Sequence, residues 1–178
     1  MHVSIHQLIK GYVENQHSSE IYLQVLNEAG IEKEEFEAEN YHNDAKTEDV
    51  LSAAIKILST NREEFLTNAG LDAAPGLLDA FKAFCDPDWD VLDLLEHVEP
   101  RMHRHVREEM GAFPPALKPE RKNKNELEIN IRSHRRMAFL AKGFILGFAK
   151  EYGDEVEVTV DETDTQYTIL VKKTTKIS

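Results

Sequence analysis

At 178 residues the chain can form one domain with a real core, or at most two small lobes. An apolar fraction of 41% argues against wholesale disorder, and a formal net charge of −12 argues against nucleic acid and anionic membranes as partners. The charge is uneven: residues 1–100 carry 6 Lys and Arg against 21 Asp and Glu, whereas residues 101–150 carry 12 against 5. That basic segment is either a solvated face or a site for an anionic group. The one cysteine, Cys85, allows neither an intrachain disulfide nor a multi-cysteine metal site, and beside Phe84 and Pro87 it reads as packing. The opening "MHVSIHQLIKGYV" is too short and polar for a signal peptide or a membrane span, so a cytoplasmic protein is expected.

The first hundred residues read as helices. Ile5, Leu8, Ile9 and Val13 fall at helical spacing. "SSEIYLQVLNEAG" opens on a serine cap candidate and closes on Gly30, a C′ candidate. "TEDVLSAAIKILS" places Val50, Leu51, Ala54, Ile55 and Leu58 on one side, with Thr47 as a cap candidate. "TNREEFLTNAG" offers Thr60 and Glu63 as a capping box and Gly70 as a stop. "GLLDAFKAF" and "WDVLDLLEHV" continue the helical pattern. After Pro114 and Pro115 the texture changes. "ELEINIR" alternates Leu127, Ile129 and Ile131 with polar residues, which is strand period. An apolar helix follows over residues 137–153, then "EVEVTVDE" and "QYTILVKKT" pair as a hairpin across "TDT". Helices followed by strand, helix, strand, strand predict an α+β fold with an antiparallel sheet.

The stretch "EPRMHRHVREE" holds two histidines, His103 and His105. Taking Leu95, Val98, Met102 and Val106 as the buried stripe, the two flank it on opposite sides, and periodicity does not choose between them. Pro100 leaves the start of this helix open. No phosphate loop, dinucleotide loop or catalytic triad order is present.

Taken together, the blocks "MHVSIHQLIKGYV", "YHNDAKTEDVLSAAIKIL", "EPRMHRHVREEMGAFPP", "LEINIRSHRRMAFLAKGFILG" and "VDETDTQYTILVKK" resemble the haem nitric oxide/oxygen-binding (H-NOX) family, the sensor domains of soluble guanylate cyclases and their stand-alone bacterial relatives. The resemblance implies one haem-binding sensor domain over residues 1–178. It comprises a distal helical lobe over about residues 1–65 and a proximal lobe over about 66–178, the latter with a roughly four-stranded antiparallel sheet. It places the axial ligand at His103 and the proline that presses on the haem at Pro115, with Pro114 one step away. The propionate motif Tyr-x-Ser-x-Arg falls on residues 131–135, where Ser133 and Arg135 match and Ile131 replaces the tyrosine. Arg132, His134 and Arg136 are spare donors nearby. The first glycine of the family pattern is also absent, position 3 being Val3.

The implied cofactor is haem b, with iron held by one imidazole and its other face open. Ile5, Ile9 and Leu140 would line that face, Leu140 standing where oxygen-binding members place a tyrosine. Bound oxygen needs a hydrogen-bond donor more than NO or CO does, so the resemblance implies a sensor of NO and CO rather than an enzyme. NO would weaken the bond to His103 and shift its helix, signalling to a separate histidine kinase or cyclic-di-GMP enzyme. The competing expectation, favoured by Ile131 and Val3, is a haem-less relative acting as a protein-interaction module or binding another apolar ligand.

Overall fold

The structure is a computed structural model that describes residues 3–32, 44–133, 135–163 and 165–174, with the side chains of Val3 and Ser4 excepted. Tyr41, His42 and Asn43, the spare donor His134 and Asp164 of the hairpin turn lie outside the described residues. The chain divides into two compact units, Met1–Ala69 and Gly70–Ser178.

The first unit is helical. Helix α1 (Val3–Gln16) buries Ile9 and Val13 as its spacing requires. Helix α2 (Ser19–Glu28) is capped by Ser18, whose side chain accepts from the Ile21 N–H at 3.3 Å. It ends as expected on Gly30. At φ +68° this residue sits in the left-handed region, and the Gly30 and Ile31 N–H groups donate to the Asn27 and Leu26 carbonyls. Helix α3 (Asp44–Ile57) buries Val50, Leu51, Ala53 and Ala54. Thr47 is not its cap but lies fully buried inside it, its hydroxyl 2.9 Å from His6 Nε2. The hydroxyl thus meets a buried imidazole rather than a helix-end N–H. Phe65 and Leu66 complete this core, with Tyr12 edge-on to Phe65 at 5.2 Å.

Helix α4 (Arg62–Phe81) departs from two expectations. Its cap is Asn61, whose side chain accepts from the Glu64 N–H at 2.9 Å, one residue beyond the Thr60–Glu63 box. Thr60 instead donates to the Glu64 carboxylate at 2.9 Å. Gly70 does not stop the helix, which continues through Pro75. The glycine serves close approach: a methyl built on it would overlap the Leu140 carbonyl oxygen and come within 2.9 Å of the Phe144 nitrogen.

In the second unit a short 3-10 turn (Lys82–Phe84) leads to helix α5 (Val91–His97). Asp90 and Asp93 form the capping box of α5. A wide π-type turn (Val98–His103) passes directly into α6 (Arg104–Glu109). Pro100 lies in that turn. A proline ring inside an α-helix clashes with the carbonyl four residues back and cannot donate to it, and a locally widened turn relieves both faults. The helix therefore does not start at Pro100 but runs past it.

The sheet has the order β1-β2-β4-β3, all neighbours antiparallel. It comprises β1 (Ala116–Asn123), β2 (Glu126–Arg132), β3 (Val156–Glu162) and β4 (Gln166–Lys173). Strand β1 is the addition to the periodicity reading. Pro119 and a run of charges hide its pattern, and its edge position is where a proline without an N–H is tolerated. Leu127, Ile129 and Ile131 of β2 and Tyr167, Ile169 and Val171 of β4 face one core with α5 and with α7 (Ala138–Tyr152). The mixed helical and antiparallel α+β architecture is the one expected.

Charge fastens α5 to the sheet. Lys173 of β4 reaches Asp90 at 2.8 Å and Asp154 at 2.7 Å, and Asp154 accepts from the Val91 N–H at 3.0 Å. Burial opposes the Asp90 charge, but the Lys173 ammonium, the Asp93 N–H and Arg121 outweigh it and hold this carboxyl below the usual carboxylate range. A lowered folded-state pKa contributes stability above the ordinary Asp range, and that stability is lost as pH falls through the folded value. Asp90→Asn should therefore be less stable than wild type at neutral pH yet lose less stability below about pH 4, as read by denaturant titrations across pH.

Candidate functional site

The π-type turn and α6 carry both histidines. His103 is half-buried and its Nδ1 lies 3.0 Å from Glu99 Oε2. The same carboxylate accepts from Arg107 at 2.6 Å and from the Leu117 N–H at 3.0 Å. Burial disfavours the Glu99 charge, but these donors outweigh it and keep the carboxyl ionised below its ordinary range. An ionised carboxylate accepts hydrogen bonds only, so Nδ1 must donate. Burial is also the largest influence on His103, and it lowers the imidazole pKa, with Arg107 acting in the same direction. Glu99 and the Pro115 backbone oppose the shift without reversing it. The lowered pKa favours the neutral imidazole and the contact with Glu99 favours Nδ1 as its protonated nitrogen, the form and tautomer of metal-ligating histidines.

His105 has different surroundings. Its ring lies against Phe84 with centroids 4.8 Å apart. Next to it, Arg101 stacks over Trp89 at 4.6 Å and donates to the Phe84 carbonyl at 3.1 Å, while His97 also stacks on Trp89, at 4.3 Å. These contacts anchor the wide turn on its exposed side.

Pro115 belongs with His103, since its backbone favours the protonated ring. Ser133 and Arg135 are brought together at the far end of β2, where the Ser133 hydroxyl accepts from the Arg135 N–H at 3.2 Å and the Ser133 N–H donates to the Thr165 carbonyl at 3.2 Å. Both Ser133 and Arg135 are half-buried. Tyr167 joins them. Burial raises its pKa most, Glu162 adds to the rise, and the hydrogen bond with Ser133 and the charge of Arg135 oppose it. Leu140 is buried in α7, whereas Ile5 and Ile9 belong to α1 in the first unit, half-buried and buried respectively.

The basic segment is not one anion-binding face. Arg121 pairs with Asp93 at 2.6 Å and with Glu96 at 2.5 Å, Arg107 pairs with Glu99, and Lys122 bridges Glu120 and Glu128 at 3.0 and 3.2 Å. Arg121 thus ties α5 to β1, Arg107 stays within the helical segment and Lys122 stays within the sheet. Among the described residues no group of three or more His, Cys, Asp or Glu could hold a metal ion by itself. A lone oriented imidazole fits a metal that arrives with its other ligands already supplied, as iron does in a porphyrin. The hydroxyls and guanidinium near Ser133 fit the carboxylates such a macrocycle carries.

The model of the haem-NO-binding family matches residues 4–160. The chain belongs to this haem-NO-binding family. The fold agrees with solved structures of H-NOX proteins. The Fe(II) unliganded H-NOX protein from K. algicida aligns with a TM-score of 0.87 and 16% identity, covering 100% of this chain and 99% of that one. An H-NOX protein from S. oneidensis in the Fe(II)NO ligation state gives 0.82 and 15%, covering 98% and 100%. A mutant H-NOX from T. Tengcongensis gives 0.79 and 17%, covering 99% and 98%. No curated protein is similar enough to the chain to count as a match. No helix among the described residues is long and apolar enough to cross a membrane.

Two residues beside the candidate site were missed in the sequence. Glu99 stands four residues before His103, a helical neighbour spacing that could have found it. Tyr167 emerges only once β4 is set in register with β2. Removing Glu99 leaves the Leu117 N–H, Arg107 and His103 without their shared acceptor. Glu99→Ala should destabilise the protein without cofactor by about 2 kcal/mol in urea denaturation; a loss under about 0.5 kcal/mol would contradict this account of the network.

Proposed function

We propose that the chain is a haem-based gas sensor with His103 as the axial ligand. The observation that carries this reading is the 3.0 Å contact between His103 Nδ1 and the Glu99 carboxylate, which orients the ring as a metal-ligating imidazole is oriented. When bound, haem b would supply a ferrous iron able to take up NO or CO. Ser133 and Arg135 hold the propionates, the arginine through its planar fork. Pro115, next to His103, presses on the macrocycle. The side chains assigned to the gas-binding face, Ile5 and Ile9 in the first unit and Leu140 in the second, each carry no hydrogen-bond donor, which suits NO and CO and disfavours retention of oxygen.

His103 is also the point where the signal starts. Its imidazole is linked through Glu99 to Arg107 and to the Leu117 N–H at the head of β1. A change in how the ring is held would be passed to the wide turn and β1 through that network. The shift in population equals the difference in affinity between the two states, which here resides in the ligand bond and in haem distortion. The output passes to a separate partner, a histidine kinase or a cyclic-di-GMP enzyme.

The purified protein should carry a Soret band, and its ferrous form should take up NO to give a five-coordinate spectrum. His103→Ala should lose the haem and regain it with added imidazole, whereas His105→Ala should retain it. Haem loss in His105→Ala with retention in His103→Ala would reverse the ligand assignment. A wild-type protein that takes up no haem would leave the haem-less interaction module as the reading.

A further inference from the structure

Ile131 occupies the tyrosine position of the family's propionate motif, so the hydroxyl that belongs there is missing from β2. The β2–β4 register pairs Ile131 directly with Tyr167. Residues opposite each other in an antiparallel ladder project to the same face, with Cβ atoms about 4.5–5.5 Å apart. Both side chains lie on the core face, Ile131 at 2% and Tyr167 at 3% exposure. A phenol this buried needs a partner for its hydroxyl. Ser133 and Arg135 are polar neighbours close enough to act on it. Ser133 and Arg135 are the two motif residues that remain. The turn that carries them is pinned to the β3–β4 turn, because the Ser133 N–H donates to the Thr165 carbonyl two residues before Tyr167.

We propose that Tyr167 supplies from β4 the hydroxyl that the motif lacks on β2, so that Tyr167, Ser133 and Arg135 together grip the haem propionates. The proposal rests on the haem reading above. The exchange is geometrically small: moving the origin of the side chain across one rung displaces it by one strand spacing, about 4.8 Å, which is less than the reach of a tyrosine. The chemistry is preserved as well. Burial keeps the phenol protonated, the form that donates to a carboxylate. With a propionate present, the phenol and the rotatable Ser133 hydroxyl would each turn their single proton toward it. The substitution of Ile131 then becomes half of a paired exchange across the ladder rather than the loss of an anchor.

The test compares wild type and Tyr167→Phe, each reconstituted with haem and, separately, with haem dimethyl ester, whose propionates carry no charge. The readout is the rate of cofactor loss to excess apomyoglobin, together with the thermal midpoint of the cofactor-free proteins. The phenylalanine keeps the ring in the core, so the cofactor-free midpoint should fall by no more than the loss of one neutral hydrogen bond allows. Tyr167→Phe should lose haem about tenfold faster than wild type or more, the scale of one hydrogen bond to a charged group. With the dimethyl ester the two proteins should lose cofactor at nearly the same rate. Equal rates with native haem overturn the proposal. An equal penalty with haem and with the ester also overturns it, because it makes Tyr167 a packing residue only. A wild-type protein that binds no haem overturns the propionate role along with the haem reading, an outcome distinct from the other two.

Discussion

Three donors converge on the Glu99 carboxylate: the His103 imidazole, the Arg107 guanidinium and the Leu117 backbone N–H. The remainder of the proposed site depends on this convergence. It joins the wide turn after α5 to the start of β1, so the helix bearing the histidine and the edge of the sheet share one acceptor. It also decides the chemistry of the ring. A carboxylate kept ionised by three donors forces the proton onto Nδ1, and burial removes the second proton. Without Glu99 the imidazole would be free to rotate and to exchange tautomers. With it, one nitrogen is committed to the protein and the other to whatever it ligates.

Pro100 is part of the same arrangement. An unbroken α-helix through residues 98–103 could not hold a proline without a kink. The π-type turn absorbs it and redirects the residues beyond, separating His103 from His105 by environment: one on a carboxylate, the other on an aromatic ring. Wide turns of this kind are uncommon and frequently sit at functional positions. The surrounding charges serve this geometry. Arg101 over Trp89, and Arg121 on Asp93 and Glu96, brace the helical segment.

The legibility of the sequence followed the strength of the local signals. Alternation in "ELEINIR" and "EVEVTVDE" marked β2 and β3 because each has one buried face and one solvated face. Strand β1 was hidden because an edge strand with Pro119 carries little apolar alternation. Gly70 and Thr47 misled for a shared reason: each has a local use at helix ends, and tertiary packing claimed both for something else. The choice between His103 and His105 was not available from periodicity, since the deciding contacts come from Glu99 and Phe84. Tyr167 was beyond local reading as well, because its relation to Ser133 depends on pairing strands 36 residues apart in sequence order.

The central claim is that His103, oriented by Glu99, is the iron ligand. The measurement that tests it most directly is the iron–imidazole stretching band of the ferrous haem-loaded protein in resonance Raman spectra. A hydrogen bond from Nδ1–H to a carboxylate makes the ring a stronger donor. Exchanging that carboxylate for an amide in Glu99→Gln should therefore move the band to lower frequency, while a change at His105 should leave it in place. A band that ignores Glu99→Gln, or one that moves when His105 is altered, would contradict the account.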